Sequence, residues 1–170
     1  MGALAPGFKE LGDYFKSMTK EVESQAEKYT YLGSSDWIAN AERSTGNEVM
    51  SVMYFKTSEG LHAYAHGELH REAWNWWNKT VGTHPYISIW HEVFVAPKGG
   101  WETIYVNTRP LLMGATTFPV KMKEGGTKWL SPVVDASKGV LKSSRGRMTI
   151  TDGTDNERYA GDPYERSEKA

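Results

Sequence analysis

The chain has 170 residues, a formal net charge of -1 and no cysteine, and 39% of its residues are hydrophobic. This length and composition predict one domain with a buried core. The lack of cysteine excludes disulfides, thiolate nucleophiles and cysteine-ligated metals, and the near-neutral charge argues against a nucleic-acid partner.

The N-terminal sequence is not expected to act as a targeting signal. No apolar run reaches the ~20 residues of a membrane span, and MGALAPGF lacks the basic flank and apolar core of a signal peptide. Pro6 also breaks the N-myristoylation pattern. We therefore expect a cytoplasmic protein with no membrane partner.

The first predicted element is an amphipathic helix, because apolar residues recur at steps of three and four between charged ones. These residues are Phe8, Leu11, Phe15, Met18 and Val22. A stripe this narrow is typical of a helix that lies on a sheet.

Two strands and a polar loop follow, and together they predict a hairpin. Tyr29 to Ala39 is rich in strand-forming residues and is expected to bend or bulge at Gly33. Val49 to Phe55 is the second strand, and turn-forming residues from Glu42 to Asn47 join the two.

The stretch from Thr57 to Pro97 concentrates histidines and four of the seven tryptophans, so we expect any chemistry to lie here. It predicts a helix with Ser58 as N-cap, a break at Gly67, a second helix ending near Gly82, and a strand.

That strand, Tyr86 to Val95, alternates so that His91 shares a face with aliphatic residues while Glu92 points the opposite way. After a glycine turn, Trp101 to Asn107 alternates again and predicts a further strand. The pattern then loosens, and a mobile tail is expected beyond about Asp135.

The order helix, strand, strand, broken helix, strand, strand predicts an α+β fold with a ferredoxin-like antiparallel sheet, its helices on one face and its first strand lacking. We assign residues 1–120 to this domain and 121–170 to an extension. An open sheet face carrying Trp and Tyr exposes apolar surface, so we expect a homodimer.

Four strings carry a resemblance to a known family. They are APGFKELGDYF (Ala5 to Phe15), AYAHGELHREAWNWWNKTV (Ala63 to Val81), HEVFVAPKGGWETIYVN (His91 to Asn107) and GATTFP (Gly114 to Pro119). They resemble fungal and bacterial monooxygenase-like proteins, a family also described as a domain of unknown function, with a member in a fumagillin-type terpenoid pathway. The resemblance implies the dimeric α+β barrel superfamily, whose members include cofactor-free oxygenases, haem-degrading oxygenases, cyclases and proteins with no known activity. The fold therefore does not fix the reaction.

His62, His66 and His70 fall at steps of four, which would line three imidazoles along one unbroken helix. Gly67 interrupts that helix, and such histidines are more often solvated or hydrogen-bonded singly than metal-bound. Haem ligation by one of them is a further alternative. We predict no metal and no cofactor.

His91 is the favoured catalytic residue, as a general acid or base on a strand face that should line a pocket. The alternative is a structural histidine bonded to backbone or tyrosine. Glu92 is its rival for the role, and His70 completes the predicted catalytic set.

The predicted substrate-binding residues are aromatic or polar: Tyr31, Trp37, His66, Trp74, Trp77 and Tyr105. Trp74 and Trp77 are three apart on one helix side, which suits a wall for an apolar ligand. Core packing is the common alternative for large aromatics.

Three functions remain open. The first is a cofactor-independent monooxygenase of secondary metabolism, in which His91 deprotonates an apolar polyketide or terpenoid and the resulting carbanion reduces dioxygen. The second is an isomerase or cyclase that opens an epoxide or closes a ring in a similar pocket. The third is a non-catalytic binding protein.

Overall fold

The computed structural model describes residues 5–39 and 48–148. These residues divide into two compact units, one from 5–93 and 110–132 and the other from 94–109 and 133–148. Within these two ranges, two antiparallel sheets and several helices confirm the predicted α+β class. In chain order the elements are α1 Phe8–Ser24, α2 Ala26–Tyr29, β1 Tyr31–Ala39, β2 Glu48–Phe55, α3 Ser58–Ala65, α4 Glu68–Thr80, β3 Phe118–Lys121, β4 Thr127–Leu130 and α5 Ser144–Arg147, with 3-10 turns at Val81–Thr83, Leu112–Ala115 and Gly139–Lys142.

The core of the first unit lies where α1, α2, α3 and the β1–β2 hairpin meet. The predicted helix is confirmed as α1, and its Val22 is completely buried at 0% exposure. Tyr31, Phe55 and Tyr64 form a row of ring contacts, with centroid separations of 5.5 Å and 5.9 Å. The core is therefore mainly aromatic, and such rings bury much apolar area each.

The β1–β2 hairpin is antiparallel, as predicted, and contains a bulge at its start. Tyr31 pairs with Phe55 and Gly33 pairs with Tyr54, so Leu32 is an extra residue in β1. Because an extra residue reverses the alternation, Tyr31 lies on the core face whereas Trp37 lies on the opposite face.

α3 and α4 form the predicted broken helix. Thr57 caps α3, since its hydroxyl accepts the Gly60 N–H at 3.1 Å; the predicted cap, Ser58, is instead the first helical residue. The helical conformation is interrupted before Gly67. Gly67 is the N-cap of α4 and has no side chain that could cap the helix.

The prediction of strands at residues 86–95 and 101–107 is wrong. Neither segment pairs in a sheet, and among the described residues each sheet has two strands and no barrel closes. Alternation only indicates which side chains would share a face, whereas a strand also needs a neighbour for its N–H and C=O groups. Pairing occurs instead between β3 and β4, joined through Gly125 and Gly126 at positive φ.

A partly buried ion pair joins the two described segments of the second unit. Arg147 Nε donates to Glu102 Oε2 at 3.0 Å, and the two side chains are 7% and 21% exposed. Arg147 Nη1 also donates to the carbonyls of Leu141 and Lys142. The pair therefore joins residues 133–148 to the loop of residues 94–109.

Some predicted features fall at or beyond the ends of the described ranges. The loop from Glu42 to Asn47 and residues 149–170 lie outside them. The described part of the segment after Asp135 contains a 3-10 turn and α5. No helix in the described ranges has both the length and the apolarity to cross a membrane.

Candidate functional site

The first turn of α4 places His70 at the edge of the aromatic core. His70 is the third residue of the helix, and its ring meets Tyr64 edge-on at 5.5 Å and 75°. Trp74 and Trp77 follow at i+4 and i+7, so they continue the same side of the helix. Trp74 is 52% exposed, which leaves an aromatic surface beside a partly buried imidazole.

The surroundings of His70 favour its neutral form. Burial, followed by the nearby His91 and His66, lowers the pKa of His70, while the carboxylate of Glu21 raises it. The lowered pKa keeps the imidazole unprotonated near pH 7, where it can accept a proton. An imidazole in this state has the properties of a general base.

Tyr64 is the buried neighbour of His70. Burial first, and then the charge of Glu21, raises the pKa of Tyr64 to about 12. Its phenol thus remains protonated throughout the physiological range. Tyr64 therefore supplies a neutral ring wall for His70 rather than a second base.

The segment after α4 runs back along that helix. His84 contacts Trp76 at 6.3 Å, near the end of α4, whereas His91 is close enough to influence His70 at its start. The Tyr86 hydroxyl donates to the carbonyl of Pro6 at 2.9 Å, which fastens the segment to the N-terminus of α1. The return of this segment brings His91 near enough to His70 for its charge to lower the pKa of that ring.

Gly7 is required for this arrangement. Its φ is +80°, and a Cβ built there would lie 2.6 Å from Nε2 of the His84 ring. Only glycine adopts such a backbone readily while leaving room for a ring. The glycine in the APGF string therefore has a packing role.

The predicted catalytic residues are only partly brought together. His91 lies near enough to His70 to influence its pKa, but His91 is exposed and on no strand, so the predicted buried strand face is wrong. Glu92 is also exposed. Their catalytic roles stay predictions.

The histidines of the broken helix do not form a metal face. His66 Nδ1 is hydrogen-bonded to the carbonyl oxygen of His62 at 2.7 Å. The ring therefore provides a hydrogen-bond partner for a carbonyl group in the last turn of α3. The His66 ring otherwise remains exposed beside the His70 surface. The described residues contain no group of three or more His, Asp or Glu side chains that could hold a metal ion.

The predicted substrate-binding residues separate into several places. Trp74 and Trp77 lie with His70 on α4, but Trp37 is 40% exposed on the far face of the hairpin. Tyr105 belongs to the second unit. Tyr31 lies in the core, at the base of a groove.

The groove is an open cavity of about 380 Å³ in the first unit, formed at the β1 bulge. Its lining comprises Glu23, Ala26, Tyr31, Leu32, Gly33, Ser34, Ala115, Thr117 and Trp129. The Thr117 N–H donates to the Leu32 carbonyl at 2.9 Å, which holds one wall against the bulge. The buried Tyr31 hydroxyl lies near Ser34 but makes no hydrogen bond of normal geometry.

Sequence reasoning missed Glu21, Thr117 and Trp129. Glu21 appeared as one charge among many on α1, and the other two fell in a stretch with a loose pattern. The glycine of the bulge was the one local signal, because bulges recur next to functional sites.

Comparison with known proteins identifies the family. The model of the family described as "Monooxygenase af470-like" matches residues 2–113. The chain is 32% identical over 150 residues to "Monooxygenase af470" of Aspergillus fumigatus, covering 87% of this chain and 53% of that protein. It thus spans about half the length of this curated relative, and no solved structure matches it. On this evidence the chain belongs to the monooxygenase af470-like family.

Proposed function

We propose that this chain is a cofactor-independent monooxygenase acting on an apolar polyketide or terpenoid intermediate of secondary metabolism, in the cytoplasm. The observation that carries the proposal is the partly buried His70, whose pKa is lowered by burial, beside the exposed Trp74 on the same side of α4. The name of the fungal relative supports the reaction class. The exposed Trp74 supports an apolar ligand, because aromatic walls are typical of such sites.

The proposed chemistry needs no oxidant other than dioxygen. His70 removes a proton from an activated methylene group, and the carbanion passes electrons to dioxygen and forms a carbon–oxygen bond. Loss of water from the resulting hydroperoxide leaves a ketone, so that a methylene group and dioxygen together give a carbonyl group and water. The imidazolium returns its proton to the departing oxygen, and His91, exposed beside it, exchanges protons with solvent.

Oxygen uptake tests this proposal directly. Anthrone, which has one activated methylene group between two rings, is a suitable probe, and uptake should match ketone formed one to one. His70→Gln should lower the rate by about 10²–10⁴-fold, the usual contribution of a general base. His62→Gln, exposed on the adjoining helix, is the matched control and should leave the rate unchanged.

Two outcomes would contradict the proposal. Turnover of a pathway substrate under strict anoxia would indicate an isomerase or cyclase instead. An unchanged rate in His70→Gln would show that this imidazole is not the base, and His91→Ala with Glu92→Ala would then test the other predicted residues.

A homodimer is part of the proposal. Ile38 and Val49 face each other across the hairpin and are 86% and 58% exposed. Apolar residues exposed this far on a two-stranded sheet favour burial against a second copy. Sedimentation of the native chain and of an Ile38→Lys variant tests this, with a shift to monomer expected only for the variant.

A non-catalytic binding function is the second candidate, and the groove at the bulge favours it. The Tyr31 hydroxyl is buried there without a well-formed hydrogen bond, and a ligand with a polar group would satisfy it. Ligand binding that is lost in Tyr31→Phe, together with no oxygen uptake by the native chain, would favour this function.

A further inference from the structure

We propose that Glu21 is the counter-charge that stabilises the His70 imidazolium. The inference rests on the proposed function, in which His70 takes up a proton during each turnover. Glu21 belongs to α1 and is 49 positions away in the sequence, so no local pattern links the two residues.

The carboxylate of Glu21 is held in place by one oxygen and left free at the other. Its Oε1 accepts from the Tyr29 hydroxyl at 3.0 Å, and the amide of Gln25 lies at 3.5 Å. Its Oε2 is buried and has no hydrogen-bond partner among the described residues. A buried carboxylate oxygen without a partner is costly, so it is poised to accept from a nearby donor.

The same carboxylate lies at the start of α4. A Cβ built on Gly67, the N-cap of α4, would be 3.8 Å from Glu21 Oε1 and 3.6 Å from the Tyr29 hydroxyl. No side chain caps this helix. The positive end of a helix favours a carboxylate and disfavours an imidazolium in its first turn, which is where His70 lies.

The charges around His70 give Glu21 a specific task. Tyr64 meets the ring edge-on, and His66, His91 and Glu21 lie near enough for their charges to act on it; of these three, the two histidines lower the pKa of His70 and Glu21 raises it. Burial and the two histidines keep the ring neutral at rest. Glu21 then limits the penalty when the ring becomes charged, so that the proton can be held and released.

The test is a histidine titration by nuclear magnetic resonance on the full chain, which requires no substrate. Glu21→Gln retains the size of the side chain and removes its charge, and the pKa of His70 should fall by about half to one pH unit. Glu23→Gln, two residues along α1 and exposed, is the matched control and should leave His70 unchanged. An unchanged His70 in Glu21→Gln overturns the proposal.

A second variant covers the case in which Glu21→Gln does not fold. Tyr29→Phe removes the hydroxyl that holds the carboxylate, so the pKa of His70 should again fall; an unchanged value overturns the proposal. Failure here is distinct from failure of the proposed function. If His70→Gln loses oxygen uptake but Glu21→Gln leaves the pKa of His70 unchanged, only the counter-charge role of Glu21 is refuted. If Glu21→Gln lowers the pKa of His70 but His70→Gln keeps its oxygen uptake, only the proposed reaction is refuted.

Discussion

Gly60 should be among the least tolerant positions of the chain, because α3 rests there on the backbone of the α2–β1 junction. A methyl group on Gly60 would collide with the carbonyl oxygen of Tyr29 and the hydroxyl of Thr30, and would lie 2.9 Å from the Tyr29 carbonyl carbon. Two of these three atoms belong to the backbone and cannot rotate away. In Gly60→Ala, α3 must therefore move off the junction.

The size of the effect follows from two opposing contributions. Replacing glycine by alanine inside a helix ordinarily stabilises it by about 1 kcal/mol. Overpacking typically costs about 1–3 kcal/mol, and the cost is at or above the upper end when backbone must shift. We expect a net loss of about 2 kcal/mol in the free energy of unfolding, or roughly 4–8 °C in Tm for a chain of this size.

Urea unfolding monitored by circular dichroism measures this free energy. Gly12→Ala is the matched control, because Gly12 lies in α1 with no atom within 4 Å of a Cβ built there. That variant should be more stable than the native chain by about 0.5–1 kcal/mol. The reasoning is refuted if Gly60→Ala is as stable as Gly12→Ala.

Two further predictions concern charged groups. Glu102→Gln leaves the Arg147 side chain, which is only 7% exposed, without its ionic partner; the second unit should lose about 2–3 kcal/mol. This loss of stability should appear as faster amide hydrogen exchange within α5. Exchange as slow as in the native chain would contradict the prediction. The pKa of His70 is lowered in the folded chain, so the unfolded chain binds more protons at pH values just below the ordinary histidine pKa. The free energy of unfolding should therefore fall as the pH drops through that range. His70→Gln should reduce this fall as the pH is lowered from neutral through the ordinary histidine pKa of about 6.5, and an identical pH dependence would argue against it.

Local features of the fold followed from local patterns. The apolar stripe of α1, the hairpin of β1 and β2, and the break at Gly67 depend on residues a few positions apart, so the sequence was sufficient to predict them. The strands at 86–95 and 101–107 failed because strand formation depends on a pairing partner. An alternating pattern carries no information on whether that partner is present.

The candidate site was predictable in its residue types but not in its arrangement. The sequence singled out His70, His91 and Trp74, and the structure brings these onto or beside α4. It separates Trp37 from Tyr31, because a single extra residue in β1 turns the two side chains to opposite faces. Bulges of this kind depend on another segment of the same chain that packs against the strand, which here contains Thr116 and Thr117.

The sequence by itself determined the α+β class, the positions of α1, α3 and α4, and the concentration of imidazoles and indoles in one stretch, because each depends on periodicity or composition. Only the tertiary structure decided which imidazole is partly shielded from water and which carboxylate lies at the start of its helix. Burial and charge proximity are properties of groups that meet in space, and Glu21 meets the first turn of α4 only after α1 has packed across it.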